Sequence, residues 1–299
     1  MLTIFTIPKP FVGHIGLIQR NAIKSWLALR PSCEIMLFGD EEGTEACASQ
    51  LGMRYVPGIV RNEFGTPLLN DAFKQAEGAA RFPCLCYVNT DMILPAVLTE
   101  CVGRIPFPAF LMTGQRMYVD VHTELDFSDP ERARALEAAI RAKGSLRPSS
   151  GTDYFVFTRG LFGELPPFAV GRPGWDNWMV FRARQLHLPI VDASPYMLAF
   201  HQNHDYAHVP RATGELWEGP EADMNRELIH PLALQFTKSS ATWRLSATGL
   251  AHHRWWNRGL GPLLVEVPAL HPWTRPLLPA ANLLRRARDR ARSGLRRGT

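Results

Sequence analysis

Cys84-Leu85-Cys86-Tyr87-Val88-Asn89-Thr90-Asp91 is the stretch whose reading decides the fold. Its first five residues are apolar without alternation, the pattern of a strand buried on both faces, as in a parallel sheet. The strand runs directly into Asn-Thr-Asp, so it delivers a carboxylate to its exposed end. In an open α/β sheet, ligands bind at the carboxyl ends of the strands.

Working outward, the segments on the amino-terminal side alternate strand and helix. Leu2 to Thr6 is short, β-branched and aromatic, and is stopped by Pro8 and Pro10. Ile15, Ile18, Ala22 and Trp26 then recur at helical spacing as far as Pro31. Glu34 to Phe38 reads as a second buried strand, Glu41 to Leu51 as a helix closed by Gly52, and Arg54 to Val56 as a third strand. Thr66-Pro67 reads as a capped helix start, with Leu68, Leu69, Ala72, Phe73 and Ala76 as the buried stripe. Pro95 opens another helix. Beyond it, Ala109 to Thr113, Tyr154 to Phe157 and Pro189 to Asp192 read as strands, and Pro130 to Ala142 and Trp175 to Leu186 as helices. This order predicts an α/β fold with a mostly parallel sheet.

Charge and cysteine content narrow the class. The chain of 299 residues carries a net charge of +5. From Arg285 onward there are seven arginines against one acid, a net +6, so the rest of the chain is −1. The body therefore lacks the basic face of a nucleic-acid binder. The five cysteines form no C-x-x-C pair and read as free thiols of a reducing compartment. Met1 to Thr6 lacks the basic start and long apolar stretch of a leader, and no run is long enough to span a membrane. The expected location is cytoplasmic, with the basic tail at the inner face of the membrane.

Four clusters carry residue types suited to chemistry. Asn89-Thr90-Asp91 offers Asp91 as ligand to Mn²⁺ or Mg²⁺ with phosphate oxygens, and Asn89 beside it. Gly174-Trp175-Asp176-Asn177-Trp178 sets an acid between two rings, which suits a site where the acid takes a hydroxyl proton. In His201-Gln202-Asn203-His204-Asp205-Tyr206-Ala207-His208, His201 is a candidate for a further metal ligand or a diphosphate contact, with His204 second in line and grouped with the substrate- and nucleotide-binding residues. Asp40, ending the second strand, faces a nucleotide together with Thr6 and Pro8, and Arg61 and Asn62 reach toward base or phosphates. Gly13 and Gly16 lack the spacing of a phosphate loop.

The order of these clusters resembles the GT-A glycosyltransferase superfamily, over about residues 1 to 235. The opening Phe5-Thr6-Ile7-Pro8-Lys9-Pro10-Phe11 with Gln19-Arg20-Asn21-Ala22 is similar to bacterial and plant glycosyltransferase-like sequences. The resemblance implies a GT-A Rossmann-like sheet with helices on both faces and a nucleoside-diphosphate sugar donor, UDP-sugar favoured. Asn89-Thr90-Asp91 stands where the family's D-x-D motif falls, with Asn in place of the first acid. Asp91 and His201 resemble the metal ligands, and Asp176 the general base of inverting members. Asn89, Thr90, Asp153, Trp175, Asn177 and Trp178 fall among the donor and acceptor contacts. The acceptor would be a glycan or lipid-linked glycan.

A nucleotidyltransferase, a His-rich metal hydrolase and a non-catalytic sugar- or nucleotide-binding protein of the same fold are the competing readings. Residues 1–245 are expected to form the catalytic domain, 246–281 a Pro/Trp/Arg-rich extension and 282–299 a basic tail.

Overall fold

A computed structural model describes residues 1–146, 152–204, 218–253, 266–277 and 279. The amino-terminal alternation is realised as β1 (Leu2–Thr6), α1 (Gly13–Leu27), β2 (Glu34–Phe38), α2 (Thr44–Leu51), β3 (Arg54–Val56), α3 (Leu69–Ala79) and β4 (Cys84–Val88). There follow β5 (Met92–Ile93), α4 (Leu98–Gly103), β6 (Leu111–Thr113), β7 (Arg116–Val119), α5 (Pro130–Lys143) and β8 (Tyr154–Thr158). Then come α6 (Trp175–Gln185), β9 (Ile190–Asp192), β10 (Ala199–Gln202), α7 (Pro220–Glu227), β11 (Trp243–Ser246) and β12 (Gly249–His252).

Nine strands form one sheet in the order β12-β11-β9-β6-β8-β4-β1-β2-β3. β1 pairs in parallel with both β2 and β4, and β6 and β11 pair in parallel with β9. β8 runs antiparallel between β4 and β6, and β12 returns antiparallel on β11. The sheet is thus mostly parallel and Rossmann-like, as expected from the sequence, with β8 as the interior reversal.

Both faces of the sheet are covered, which is why β4 reads as an unbroken apolar run. Phe5, Tyr87 and Phe157 point to one side and meet Phe73 of α3 and Met179 of α6. The Phe5 ring stands edge-on to Phe73 and Tyr87, with centroids 4.9 and 5.4 Å apart. Such pairs each add about 0.5–1.5 kcal/mol beyond area burial. Ile4, Cys86 and Val88 point to the other side and meet Trp26 of α1, Cys47 of α2 and Leu98 of α4. Cys84 and Cys86 share that face, as the period of a strand requires, and all five cysteines are free thiols.

A second sheet, β5-β10-β7, was not anticipated by the sequence reading. It hangs on a polar side of α1. Trp26 Nε1 donates to the Met92 carbonyl at 2.9 Å, and Ser25 Oγ accepts from Leu94 N at 3.1 Å. Gln202 Nε2 donates to the Ile18 carbonyl at 2.8 Å, and its Oε1 accepts from Asn21 Nδ2 at 3.2 Å. Buried polar groups need partners of this kind, and here the partners fix the docking of one layer on another.

Several expected boundaries move. Thr66 does not cap α3; its amide is held by Asn62 Oδ1 at 2.9 Å, Pro67 bridges to Arg61, and the helix starts at Leu69. Likewise α4 starts at Leu98 rather than Pro95. The expected break at residue 245 falls inside β11, so the hairpin β11-β12 carries the main sheet into the presumed extension. The basic tail, residues 282–299, lies outside the described residues. Among the described residues no helix is long and apolar enough to cross a membrane.

Candidate metal centre and its surroundings

Three side chains from two segments converge beyond the end of β4. Asp91 follows β4 by three residues, His201 lies on β10 and His204 two residues past that strand. Asp91 Oδ2 is 3.1 Å from His204 Nε2 and 3.5 Å from His201 Nε2. The ligand atoms of all three lie within 4.8 Å of one another. The two segments are sewn together by main-chain bonds: the Asp91 carbonyl accepts from Gln202 N and Gln202 Nε2, and Met92 pairs with His201 across β5 and β10.

The electrostatics suit a cation. Burial works to raise the Asp91 pKa, but the charge of His201, a hydrogen bond from His204 and the charge of Lys9 outweigh it. The carboxylate is therefore held well below its ordinary range. The His201 imidazole is pushed below its ordinary value, first by burial, against the pull of Asp91 and with help from Arg116, His204 and Lys9. A divalent cation, which needs the carboxylate ionised and the imidazoles unprotonated, would take over beside Asp91 the part that the positive charge of His201 plays here. Asp91 Oδ1 and His201 Nδ1 are buried without a hydrogen-bond partner. Such orphaned atoms call for a ligand or ion.

Asp176 sits in the first turn of α6. Gly174 opens that helix at φ 101°, where a Cβ would come within 2.9 Å of Ile229 Cδ1, so only glycine turns the chain here. Burial raises the Asp176 pKa above the ordinary 3.8, against amides of Asn177, Asp176 and Thr152 and the charge of Arg116. Burial thus gives this carboxylate a higher proton affinity than an exposed aspartate, against the helix start, which favours the ionised form.

Asp153, just ahead of β8, is fully engaged. Its Oδ1 accepts from Asn89 Nδ2 at 3.0 Å, its carbonyl accepts from Asn89 N at 2.9 Å, and its Oδ2 faces Arg116 Nη1. Arg116 also donates from Nε and Nη2 to the Tyr118 hydroxyl at 2.9 and 2.6 Å. The Tyr118 ring in turn packs 5.1 Å from His201.

His204, second in line to His201, stands with it and Asp91 in the trio, and His208 lies outside the described residues. Thr6 and Thr90 are buried and bond each other at 2.9 Å, clasping the ends of β1 and β4; Pro8 is buried beside them. Asp40 is exposed but accepts from the Tyr55 hydroxyl and Gly58 N. The donors of Arg61 go to Glu41 and the Gly65 carbonyl, and the amide of Asn62 goes to Glu221. Trp175 and Trp178 are core residues, packed on Tyr87 and Phe155 and on Phe162 and Phe168. Their rings are therefore spent on the sheet, and the expectation that they contact donor or acceptor is corrected. Asn177 Nδ2 is likewise committed, donating to the Phe236 carbonyl at 2.7 Å.

Lys9, Arg116 and Tyr118 are the residues near the trio that the sequence reading passed over. Arg116 and Tyr118 alternate on a short strand, Arg116-Met117-Tyr118-Val119, and this period-two pattern is the signal that could have found them.

No family model and no curated protein matches the chain. Solved structures are similar at low identity. Glucosyl-3-phosphoglycerate synthase from Mycobacterium tuberculosis, in complex with Mn²⁺, UDP-glucose and phosphoglyceric acid, is 16% identical with a TM-score of 0.45, over 79% of this chain and 80% of that one. The same enzyme with Mn²⁺, UDP and phosphoglyceric acid is 17% identical with a TM-score of 0.44, over 85% and 86%. A structure described as a mycobacterial protein is 19% identical with a TM-score of 0.41, over 70% and 69%.

Proposed function

We propose that this chain is a GT-A-type glycosyltransferase that moves a sugar from a nucleoside-diphosphate sugar, with UDP the favoured nucleotide, to a hydroxyl of a glycan or lipid-linked glycan. The observation that carries the reading is the Asp91–His201–His204 trio beyond the end of β4, with buried orphaned atoms on two of its members. These residues would hold Mn²⁺ or Mg²⁺, whose contribution when bound is to neutralise the charge of a departing diphosphate. His204 takes part in place of the acid that Asn89 replaces in the expected D-x-D pattern.

Asp176 takes the proton from the acceptor hydroxyl. Asp153 supports direct displacement with inversion, because a covalent route needs a second free carboxylate under the sugar. Both Asp153 oxygens are already held, by Asn89 and Arg116.

Thermal shifts with UDP, GDP, CDP and ATP, each with and without Mn²⁺, test the reading. One nucleoside diphosphate is expected to raise Tm in a manganese-dependent way. The His-His-Asp ligand set also suits a zinc hydrolase. A shift with zinc alone and none with any nucleotide would favour that reading over transfer.

We also place the protein in the cytoplasm, at the inner face of a membrane. Trp273, 80% exposed, and the seven arginines from Arg285 onward have the composition of an interfacial anchor. Removing residues 282–299 is expected to abolish sedimentation with vesicles containing phosphatidylserine. Unchanged sedimentation would refute the contact.

A further inference from the structure

We propose that Asp153 and Arg116 form a positioning pair that holds the cation site in shape and ties it to Asp176. This rests on reading the Asp91–His201–His204 trio as a metal centre. The pair stands where three threads meet. Through Asn89, bonded by both side chain and main chain, Asp153 fixes the turn that ends in Asp91. Through Arg116 and Tyr118 it reaches β10, since β7 lies parallel beside that strand with Tyr118 opposite His201. The Tyr118 ring braces the His201 imidazole. Two residues beyond Asp153, the Phe155 ring lies 5.5 Å from the ring of Trp175, the neighbour of Asp176, so the same segment reaches the base on α6.

The physical case is one of geometry and charge together. The side chains of Asp153 and Arg116 are 11% and 16% exposed, so neither is free to swing. The pair itself is neutral, so it braces the site without competing for the cation. Hydrogen-bonded groups behind metal ligands hold those ligands in register, and their loss costs about 10–100-fold in metal affinity. The segment from Arg116 to Val119 belongs to the second sheet and Asp153 adjoins β8 of the main one. The ion pair is therefore a cross-tie between the two sheets at the point where the metal ligands also cross.

Calorimetry with Mn²⁺ alone on the full chain tests this without any substrate. Asp153→Asn and Arg116→Gln are each expected to weaken Mn²⁺ about tenfold. The double variant should be no weaker than either single one, because both changes cut the same tie. Arg116→Lys, which keeps the charge but not the fork, should recover part of the loss. Melting curves without metal are recorded alongside, and a variant that melts early is replaced by Arg116→Lys for the comparison. If the wild type binds Mn²⁺ and the variants match it within twofold, or if the two losses add, the positioning role is overturned while the metal centre stands. If the wild type binds no Mn²⁺, the metal centre itself falls and takes this inference with it.

Discussion

Asp176→Asn is expected to lower kcat by about 10²–10⁴-fold while leaving Mn²⁺ and nucleotide affinity within about threefold, the range that loss of a general base produces. The substitution keeps the size of the side chain and its place at the helix start, so the fold should survive. Turnover would be followed as UDP released from the UDP-sugar that binds best. The pH dependence carries a second signature. A base works only when ionised, and burial raises the Asp176 pKa above 3.8. The wild-type rate should therefore fall as pH drops through a value higher than that of an ordinary aspartate, and this acid limb should vanish from the residual activity of the Asn variant. Retention of a third or more of the activity would reduce Asp176 to a helix-start residue.

Asp91→Asn should have an equally large effect at an earlier step. Mn²⁺ affinity is expected to fall by more than about 100-fold, since loss of an outer partner alone costs 10–100-fold. Manganese-dependent nucleotide binding should disappear with it. In the wild type, Mn²⁺ binding should weaken as pH falls, because protons compete for the ligands, and the lowered pKa of His201 moves its share of that loss to lower pH. Calorimetry at several pH values reads both effects. An Asn variant that binds Mn²⁺ like the wild type would remove the centre from the reading.

The sheet was legible because its strands are dictated by local composition. Cys84 to Val88 and Leu2 to Thr6 are buried on both faces, and uninterrupted apolar runs announce that directly. Asp91 and His201 were legible for a related reason, since strand ends and clustered imidazoles are visible in one dimension. The second sheet was not. β5 has two residues and β7 and β10 have four each, too short for periodicity to rise above its surroundings. Arg116 and Tyr118 went unseen with it. The two tryptophans beside Asp176 misled, because aromatic residues at a helix start serve a core as readily as a ligand site. Thr66 and Asn62 misled in the opposite way. Thr66, expected to cap a helix, and Asn62, expected to reach base or phosphates, are joined inside a turn that is bridged at Arg61 and Pro67 and tied to Glu221 on α7.

The polar side of α1 has a consequence for how this molecule can fail. Gln202, Asn21 and Ser25 join the helix to the smaller sheet by directional bonds, whereas apolar contacts would tolerate sliding. Greasing that seam with leucine or valine would leave two layers that still adhere but no longer agree on alignment. Asp91 and His201 would stay together, since main-chain bonds join their segments, but the trio as a whole would lose its fixed place against α1 and the main sheet. The apolar surface of the same helix would meanwhile keep its hold on the main sheet, so adhesion and alignment are set by separate surfaces of α1.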